Sequence, residues 1–259
     1  MINSKNGGKK MDYNIIIFIL FGFVAQLIDG CLGMAYGVSS NAFFLSLGIP
    51  PSIASACIHT SEMFTTAVSG ISHFKFGNVD RELFLRLLIP GVIGGVLGAY
   101  ILTELPSGKI KPFISIYLLI MGILILIKVF KKIHQTKTKT RVVPLGLVGG
   151  FFDAIGGGGW GPIVTTTLVA NGNQPRYAIG SVNSAEFFVT VAESITFFAT
   201  IGTLLFQHWE KIAGLMIGGV LAAPFAAWLC KKLPSHILMI IVGLLITGLS
   251  IRILYLAWF

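Results

Sequence analysis

Apolar residues occur along this chain in long, nearly uninterrupted runs that are separated by short polar stretches. A helix needs about 20 apolar residues to cross the roughly 30 Å hydrocarbon core of a bilayer. Lipid offers no partners to free backbone groups, so such runs are expected to be helical. The pattern predicts an all-α polytopic membrane protein with eight membrane-crossing segments, four in each half: residues 15–47, 53–74, 84–105, 110–130, 142–169, 177–206, 212–229 and 237–256.

One stretch of the first half returns in the second half. Residues 29–37, Asp-Gly-Cys-Leu-Gly-Met-Ala-Tyr-Gly, are followed 124 residues later by Asp-Ala-Ile-Gly-Gly-Gly-Gly-Trp-Gly at 153–161, with the acid, two glycines and the aromatic residue in register. The same offset pairs Glu62 with Glu186. This periodicity predicts an internal duplication. The predicted units are a first four-segment repeat (1–130), a basic cytoplasmic linker (131–141) and a second four-segment repeat (142–259).

The first and fifth segments are too long for one straight crossing. Residues 15–47 would extend roughly 50 Å as a helix at about 1.5 Å per residue, and both segments contain glycines near the middle. Each is therefore predicted to be a helix, an unwound glycine-rich turn and a shorter helix. The short helices should begin near residues 36–38 and 160–162, where Pro162 suits a first helical turn.

Composition supports the membrane assignment. Hydrophobic residues make up 54% of the chain and charged residues 11%, against about 25% charged in soluble proteins. The net charge of +9 arises mostly from short stretches between apolar runs, which indicates topology signals rather than a nucleic-acid surface. The three cysteines, Cys31, Cys57 and Cys230, predict neither a disulfide framework nor a metal-type pair.

The basic residues of the loops also predict an orientation. Lysines precede the first segment, and basic residues fill residues 131–141, so the positive-inside rule places both termini in the cytoplasm. We expect an uncleaved first span. If each broken segment instead forms a re-entrant hairpin, the repeats are inverted, as in many transporters, and the sequence leaves this alternative open.

The two glycine breaks are the candidate substrate site. Unwound backbone inside a bilayer must face protein or a water-filled cavity, and helix N-termini favour anions. Two such ends could face one anion from two sides, although glycines that only permit tight packing remain the alternative. Asp29 and Asp153 precede the breaks, and we expect them to cap the loosened backbone. The predicted anion-binding residues are Gly33, Tyr36, Gly37, Val38, Ser39, Asn41, Gly157, Gly158, Trp160 and Gly161 at the breaks, with Thr60, Ser61, Asn183 and Ser184 alongside.

Glu62 and Glu186 are the candidates for proton coupling. A carboxylate in the middle of a membrane costs about 2.5–3.5 kcal/mol on insertion scales and is by default a functional candidate. Burial favours the protonated form of a carboxyl group, so either glutamate could take up and release a proton. A structural hydrogen bond to a neighbouring helix is the alternative. Glu193 ranks lower, because its partner at the 124-residue offset is Ser69.

Patterns of catalysis are missing from the sequence. It contains no His-Glu-x-x-His, no Gly-x-Ser-x-Gly and no Walker-type phosphate loop, and residues 156–159 lack a following Lys-Ser/Thr. We predict no enzymatic activity, no cofactor and no metal. An intramembrane enzyme that uses His59 with Glu62 is the corresponding rival hypothesis.

Several segments together resemble the TauE/SafE sulfite exporter family. They are the glycine break with its short apolar helix, residues 56–61 (Ala-Cys-Ile-His-Thr-Ser), residues 73–80 (His-Phe-Lys-Phe-Gly-Asn-Val-Asp), and the glycine-rich residues 90–100 followed by Leu105-Pro106. The resemblance extends from about residue 15 to residue 256. The first break departs from the family pattern at Cys31, Leu32, Met34 and Ala35, and Glu62 after Thr60-Ser61 is a further departure.

This resemblance implies a secondary, proton-linked transporter of sulfite or a small organosulfonate in the cytoplasmic (inner) membrane of a bacterium or archaeon. The expected partners are a small anionic substrate and the lipid bilayer, with no nucleic acid, and a homodimer is left open. The rival functions are a passive anion channel, an uptake carrier for another small anion, and a sensor or assembly subunit.

Overall fold

The computed structural model describes residues 15–32, 34–130, 140–229 and 235–258, and all regular structure within them is helical. The all-α prediction is therefore confirmed for this part of the chain. The N-terminal residues 1–14 and most of the predicted linker lie outside the described residues. In chain order the elements are α1 Ile15–Leu32, α2 Tyr36–Ser46, α3 Pro51–Lys75, α4 Arg81–Glu104, α5 Ser107–Phe130, α6 Val142–Gly156, π1 Trp160–Thr165, α7 Thr166–Ala170, α8 Pro175–Phe206, α9 Trp209–Leu229 and α10 Ser235–Trp258.

Among the described residues, four helical stretches are long and apolar enough to cross a membrane. Three further stretches of apolar helix are shorter, at 10–17 residues. The four long stretches are Arg81–Glu104, Ser107–Lys128, Arg176–Phe206 and Met239–Leu256, and the three short ones are Ile15–Asp29, Val142–Gly156 and Trp160–Ala170.

The short helices flank the two predicted breaks. The helix α1 ends at Leu32 and α2 begins at Tyr36, while α6 ends at Gly156 and π1 begins at Trp160. Each long apolar run is thus a helix, a turn and a second helix, as the glycines predict. The second break begins with the left-handed φ of Gly157, +64°, a conformation that glycine adopts without a steric penalty.

Helix pairing crosses between the two halves of the chain. The first helix of each half packs on the third long helix of the other half, because α1 packs against α9 and α6 packs against α4. The remaining long helices pair with their counterparts, α3 with α8 and α5 with α10.

Glycines allow these crossings to be close. A Cβ atom on Gly98 of α4 would lie 2.5 Å from the carbonyl oxygen of Phe151 in α6, and one on Gly218 of α9 would lie 2.7 Å from the amide nitrogen of Phe23 in α1. Small residues permit this kind of backbone contact between membrane helices. These glycines therefore allow α4 to pack closely on α6, and α9 on α1, within the same chain.

The interior of the bundle contains polar residues where α3 packs against α8. The helix α3 buries Ser55, His59, Ser61 and Glu62, and α8 buries Glu193. Since α3 and α8 pack against each other, their polar residues meet in the interior and not at the lipid-facing surface.

Candidate functional site

The two helix breaks touch each other at the centre of the molecule. A Cβ atom on Gly37 would lie 2.6 Å from the Cα of Gly158 and 2.7 Å from the carbonyl oxygen of Gly157. Both neighbours are backbone atoms, which cannot swing aside as the end of a side chain can. The contact therefore brings the first turn of α2, directly after the first break, against the unwound backbone of the second break.

A carboxylate stabilises each break. Asp153 Oδ1 accepts hydrogen bonds from the amides of Gly159 at 2.6 Å and Trp160 at 2.9 Å. In the first half, Asp29 Oδ1 accepts from the amide of Tyr36 at 3.2 Å. The first amides of a helix have no partner within the helix, so these aspartates cap α2 and π1. Their expected capping role is confirmed.

The aromatic residue after each break anchors it to a neighbouring helix. The Tyr36 hydroxyl donates to the carbonyl oxygen of Leu215 at 3.4 Å, and Trp160 Nε1 donates to that of Val182 at 3.1 Å. Both rings are almost fully buried, with exposures of 1% and 0%. The Trp160 ring packs against α4 at Gly91, where any side chain would collide with it.

A small cavity lies between the breaks. Its volume of about 10 Å³ is close to the room that a single water molecule needs. Four of its lining residues carry carboxyl groups, and none of the lining residues in the described part of the chain is a lysine or arginine. The lining residues are Asp29, Met34, Ala35, Tyr36, Gly37, Val38, Glu62, Asp153, Gly158, Gly159, Gly161, Pro162 and Glu186.

Beside the cavity, His59 joins two glutamates. Its Nδ1 lies 3.3 Å from Oε2 of Glu62, one turn along α3, and 3.1 Å from Oε2 of Glu193 on α8. Its Nε2 lies 3.1 Å from the main-chain oxygen of Asp153. The ring of Phe197 stacks on the imidazole at a centroid distance of 6.2 Å.

The same cluster is the nearest approach to a metal-ligand set in the described residues. One atom each from His59, Asp153 and Glu193 lie within 4.8 Å of one another. Both ring nitrogens of His59 are, however, already within hydrogen-bond distance of protein oxygens. We therefore interpret the cluster as a histidine placed between two buried glutamates and anchored through Nε2 to the main-chain oxygen of Asp153.

Comparison with known proteins gives the family. The profile described as Sulfite exporter TauE/SafE matches residues 18–253. The chain belongs to the TauE/SafE family. The resemblance in the sequence motifs is thus confirmed, and the protein is an integral membrane protein of a family of membrane transporters.

Three relatives of this TauE/SafE protein are informative. The Bacillus subtilis (strain 168) protein named Probable membrane transporter protein YtnM is 42% identical over 257 residues, which cover 94% of this chain and 84% of the relative. Probable membrane transporter protein YdhB of the same organism is 25% identical over 221 residues, covering 81% and 89%. Sulfite exporter TauE/SafE family protein 3 of Arabidopsis thaliana is 23% identical over 105 residues, covering 40% and 22%. No solved structure matches the chain significantly.

The structure places seven of the fifteen predicted site residues that it describes around the cavity of this TauE/SafE protein. Both candidate coupling residues, Glu62 and Glu186, line it. Gly33 lies outside the described residues. The predicted substrate-binding residues in the lining are Tyr36, Gly37, Val38, Gly158 and Gly161.

Other predicted residues of the breaks lie one layer behind the cavity. The Asn41 side-chain amide donates to the main-chain oxygen of Gly156 and packs on Gly157. The Ser39 hydroxyl donates to the main-chain oxygen of Ala35 at 2.6 Å. Trp160 is not part of the lining, and its amide donates to Asp153, which is. These residues hold the shape of the breaks.

The four residues predicted alongside the breaks are not brought together at the cavity. The hydroxyls of Thr60, Ser61 and Ser184 donate to main-chain oxygens of their own helices at 2.7 to 2.8 Å, and the Asn183 amide nitrogen donates to that of Ile179 at 3.0 Å. Contact of these groups with a substrate stays a prediction that requires them to change partners.

Sequence reasoning gave too little weight to His59 and Glu193. The offset of 124 residues favoured acids that occur in both halves, and Glu193 has no acidic counterpart. A signal was nevertheless present. His59 precedes Glu62 by three residues, and Glu193 follows Glu186 by seven, so each pair shares one face of a helix. Ionisable residues within apolar runs are functional candidates whether or not they are repeated.

Proposed function

We propose that this protein is a proton-linked secondary transporter that exports a small sulfur-containing anion, sulfite or an organosulfonate such as sulfoacetate, across the inner cell membrane. The observation that carries the proposal is the cavity itself, in which the N-terminus of α2 and four carboxyl groups surround one small space.

The chemistry of the lining links the anion to protons. The amides of Gly37 and Val38 lie in the first turn of α2, where the helix dipole attracts negative charge. Ionised carboxylates at Glu62 and Glu186 would repel the same anion. With no basic side chain among the described lining residues, protons on these glutamates are the simplest source of compensating charge. Proton and anion then bind together, and the emptied site returns only after the glutamates have lost their protons.

The size of the cavity supports a carrier over a passive channel. A volume of about 10 Å³ admits about one water molecule, so a sulfur oxyanion enters only when the halves separate at the Gly37–Gly158 contact. Opening to one side of the membrane at a time gives alternating access. The crossed pairing of α1 with α9 and of α6 with α4 supports two related halves that rock against each other. We further propose eight crossings with both termini in the cytoplasm.

Flux measurements in proteoliposomes test the coupling. We expect Glu62→Gln and Glu186→Gln to carry sulfite without accompanying proton movement, which a pH-sensitive dye inside the vesicles reports. Glu104→Gln is the matched control, because Glu104 is exposed at the end of α4. Unchanged proton-linked flux in both cavity variants would contradict the coupling role.

Two further measurements separate the alternatives. A carrier accumulates the anion against its gradient when a proton gradient is imposed, whereas a channel only equilibrates it. A thermal-shift screen of the purified protein with sulfite, sulfoacetate, thiosulfate, sulfate and taurine tests the substrate class. Stabilisation by none of these five sulfur compounds would contradict the proposed substrate class and favour a carrier of another small anion.

A further inference from the structure

A single ring nitrogen in the core faces two carboxyl groups on different helices. His59 Nδ1 lies 3.3 Å from Glu62 Oε2 and 3.1 Å from Glu193 Oε2, and the side chains of His59 and Glu193 are fully buried. Water therefore does not separate these groups. The arrangement also connects the two halves of the chain, because Glu62 belongs to α3 and Glu193 to α8.

The other ring nitrogen fixes which atom can exchange a proton. His59 Nε2 lies 3.1 Å from the main-chain oxygen of Asp153. A carbonyl oxygen can only accept, so Nε2 keeps its hydrogen and donates it there. The nitrogen that gains or loses a proton is consequently Nδ1, the atom between the two glutamates.

At least one of the three groups, His59 Nδ1 and the carboxyl groups of Glu62 and Glu193, must carry a proton. Without one, the lone pair of Nδ1 would face two negative oxygens in the protein interior, where unpaired polar groups are costly. Other acids approach this region as well. The main-chain oxygen of Asp153 of α6 adjoins His59, and Asp29 and Glu186 line the same cavity as Glu62.

The two glutamates differ in position. Glu62 lines the cavity, whereas Glu193 does not. Glu193 has 0% exposure and neither of its carboxyl oxygens makes a hydrogen bond, apart from the close approach to His59. Its carboxyl group occupies the space beside Gly95 of α4, where a Cβ atom would lie 2.5 Å from Oε1.

We propose that His59 relays a proton between Glu62 in the cavity and Glu193 outside it, so that Glu193 is a buried proton-binding site of the transport cycle. The inference rests on the proposed proton-linked function and extends it. Protonated Glu62 transfers its proton to Nδ1, which leaves a Glu62 carboxylate and an imidazolium. The imidazolium then passes the same proton to the Glu193 carboxylate and returns to the neutral ring with hydrogen on Nε2.

The relay predicts a separation between net transport and exchange. Proton-driven net flux of sulfite requires Glu62 to lose its proton, whereas exchange of labelled for unlabelled sulfite at equal pH needs no proton release. We expect Glu193→Gln and His59→Gln to lower proton-driven net flux by about a hundredfold, the lower end of what a positioned proton donor contributes. Exchange should be retained in both.

A pair of glycine variants provides a test that leaves every ionisable group in place. Gly95→Ala inserts a methyl group against the Glu193 carboxyl group and should lower net flux while exchange is retained. Gly219→Ala, at the corresponding position of α9, would instead crowd Thr65 Cγ2, at 2.6 Å. This control should retain both activities.

Each outcome decides the inference. The thermal stability of every purified variant is compared with that of the unmodified protein to show that the variant folds. If Glu193→Gln or His59→Gln does not fold, Gly95→Ala and its control Gly219→Ala provide the test. Net flux retained in Glu193→Gln overturns the relay. Loss of both net flux and exchange in folded Glu193→Gln also overturns it, because a relay is not needed for exchange. Absence of proton-linked flux in the unmodified protein contradicts the proposed function itself, and the relay with it.

Discussion

Removal of the Asp153 carboxyl group should destabilise the protein more than removal of the Asp29 carboxyl group. Asp153 accepts two short hydrogen bonds, from the amides of Gly159 at 2.6 Å and Trp160 at 2.9 Å. Asp29 accepts one longer bond, from Tyr36 at 3.2 Å. Asp153 is also the more buried of the two acids, at 1% exposure.

The expected size follows from the number of amides left without an acceptor. A buried donor that loses its partner costs about 1–3 kcal/mol. Asp153→Ala strands two amides, so the loss should be about 2–6 kcal/mol, and Asp29→Ala strands one, so its loss should be about 1–3 kcal/mol. Asp153→Asn keeps an acceptor oxygen and loses only the reinforcement by charge, about 1–2 kcal/mol. The loss expected for Asp153→Ala is a large fraction of a total stability of about 5–15 kcal/mol.

Equilibrium unfolding in mixed micelles, with increasing sodium dodecyl sulfate, measures the three free energies. The expected order of destabilisation is Asp153→Ala, then Asp29→Ala, then Asp153→Asn. Two results would contradict this order: Asp29→Ala as destabilising as Asp153→Ala, or Asp153→Asn as destabilising as Asp153→Ala. In either case the loss of unfolding free energy would not depend on the number of capped amides. The capping explanation would then be refuted.

Two other pairs of variants test the contacts of the breaks. Gly37→Ala places a methyl group 2.6 Å from the Cα of Gly158 and should abolish sulfite flux, whereas Gly248→Ala on α10 meets no atom within 4 Å and should leave flux unchanged; equal flux in the two would contradict the backbone contact. Trp160→Phe removes the 3.1 Å hydrogen bond from Nε1 to the main-chain oxygen of Val182 and should lower the free energy of unfolding by about 0.5–1.5 kcal/mol. Tyr36→Phe loses only a 3.4 Å hydrogen bond and should lower the free energy of unfolding by less than Trp160→Phe does. The same unfolding assay measures both variants, and the opposite order would contradict this ranking.

The helical class and the two helix breaks could be predicted from the sequence because they depend on local chemistry. A long apolar run in lipid has to satisfy its own backbone groups, which leads to helices. Glycines within an overlong run mark the positions where the helix can stop. The helix starts at Tyr36 and Trp160 accordingly fall where the sequence places them.

The capping aspartates were also accessible from the sequence. Asp29 and Asp153 stand at the same place in each half, directly before the glycines, and an acid near a helix N-terminus is favoured by the free amides. The difference between them, one hydrogen bond against two, depends on the turn geometry of each break and could not be read from the sequence.

The sequence by itself determined a membrane-embedded helical chain with two glycine-broken segments and acids beside them, because hydropathy and glycine content act over neighbouring residues. Only the tertiary structure decided that the breaks touch at Gly37 and Gly158 and that Glu193 of α8 meets His59 of α3. Both contacts join residues more than 100 positions apart. Their existence depends on which helix faces pack together, and an apolar run is equally compatible with many such pairings.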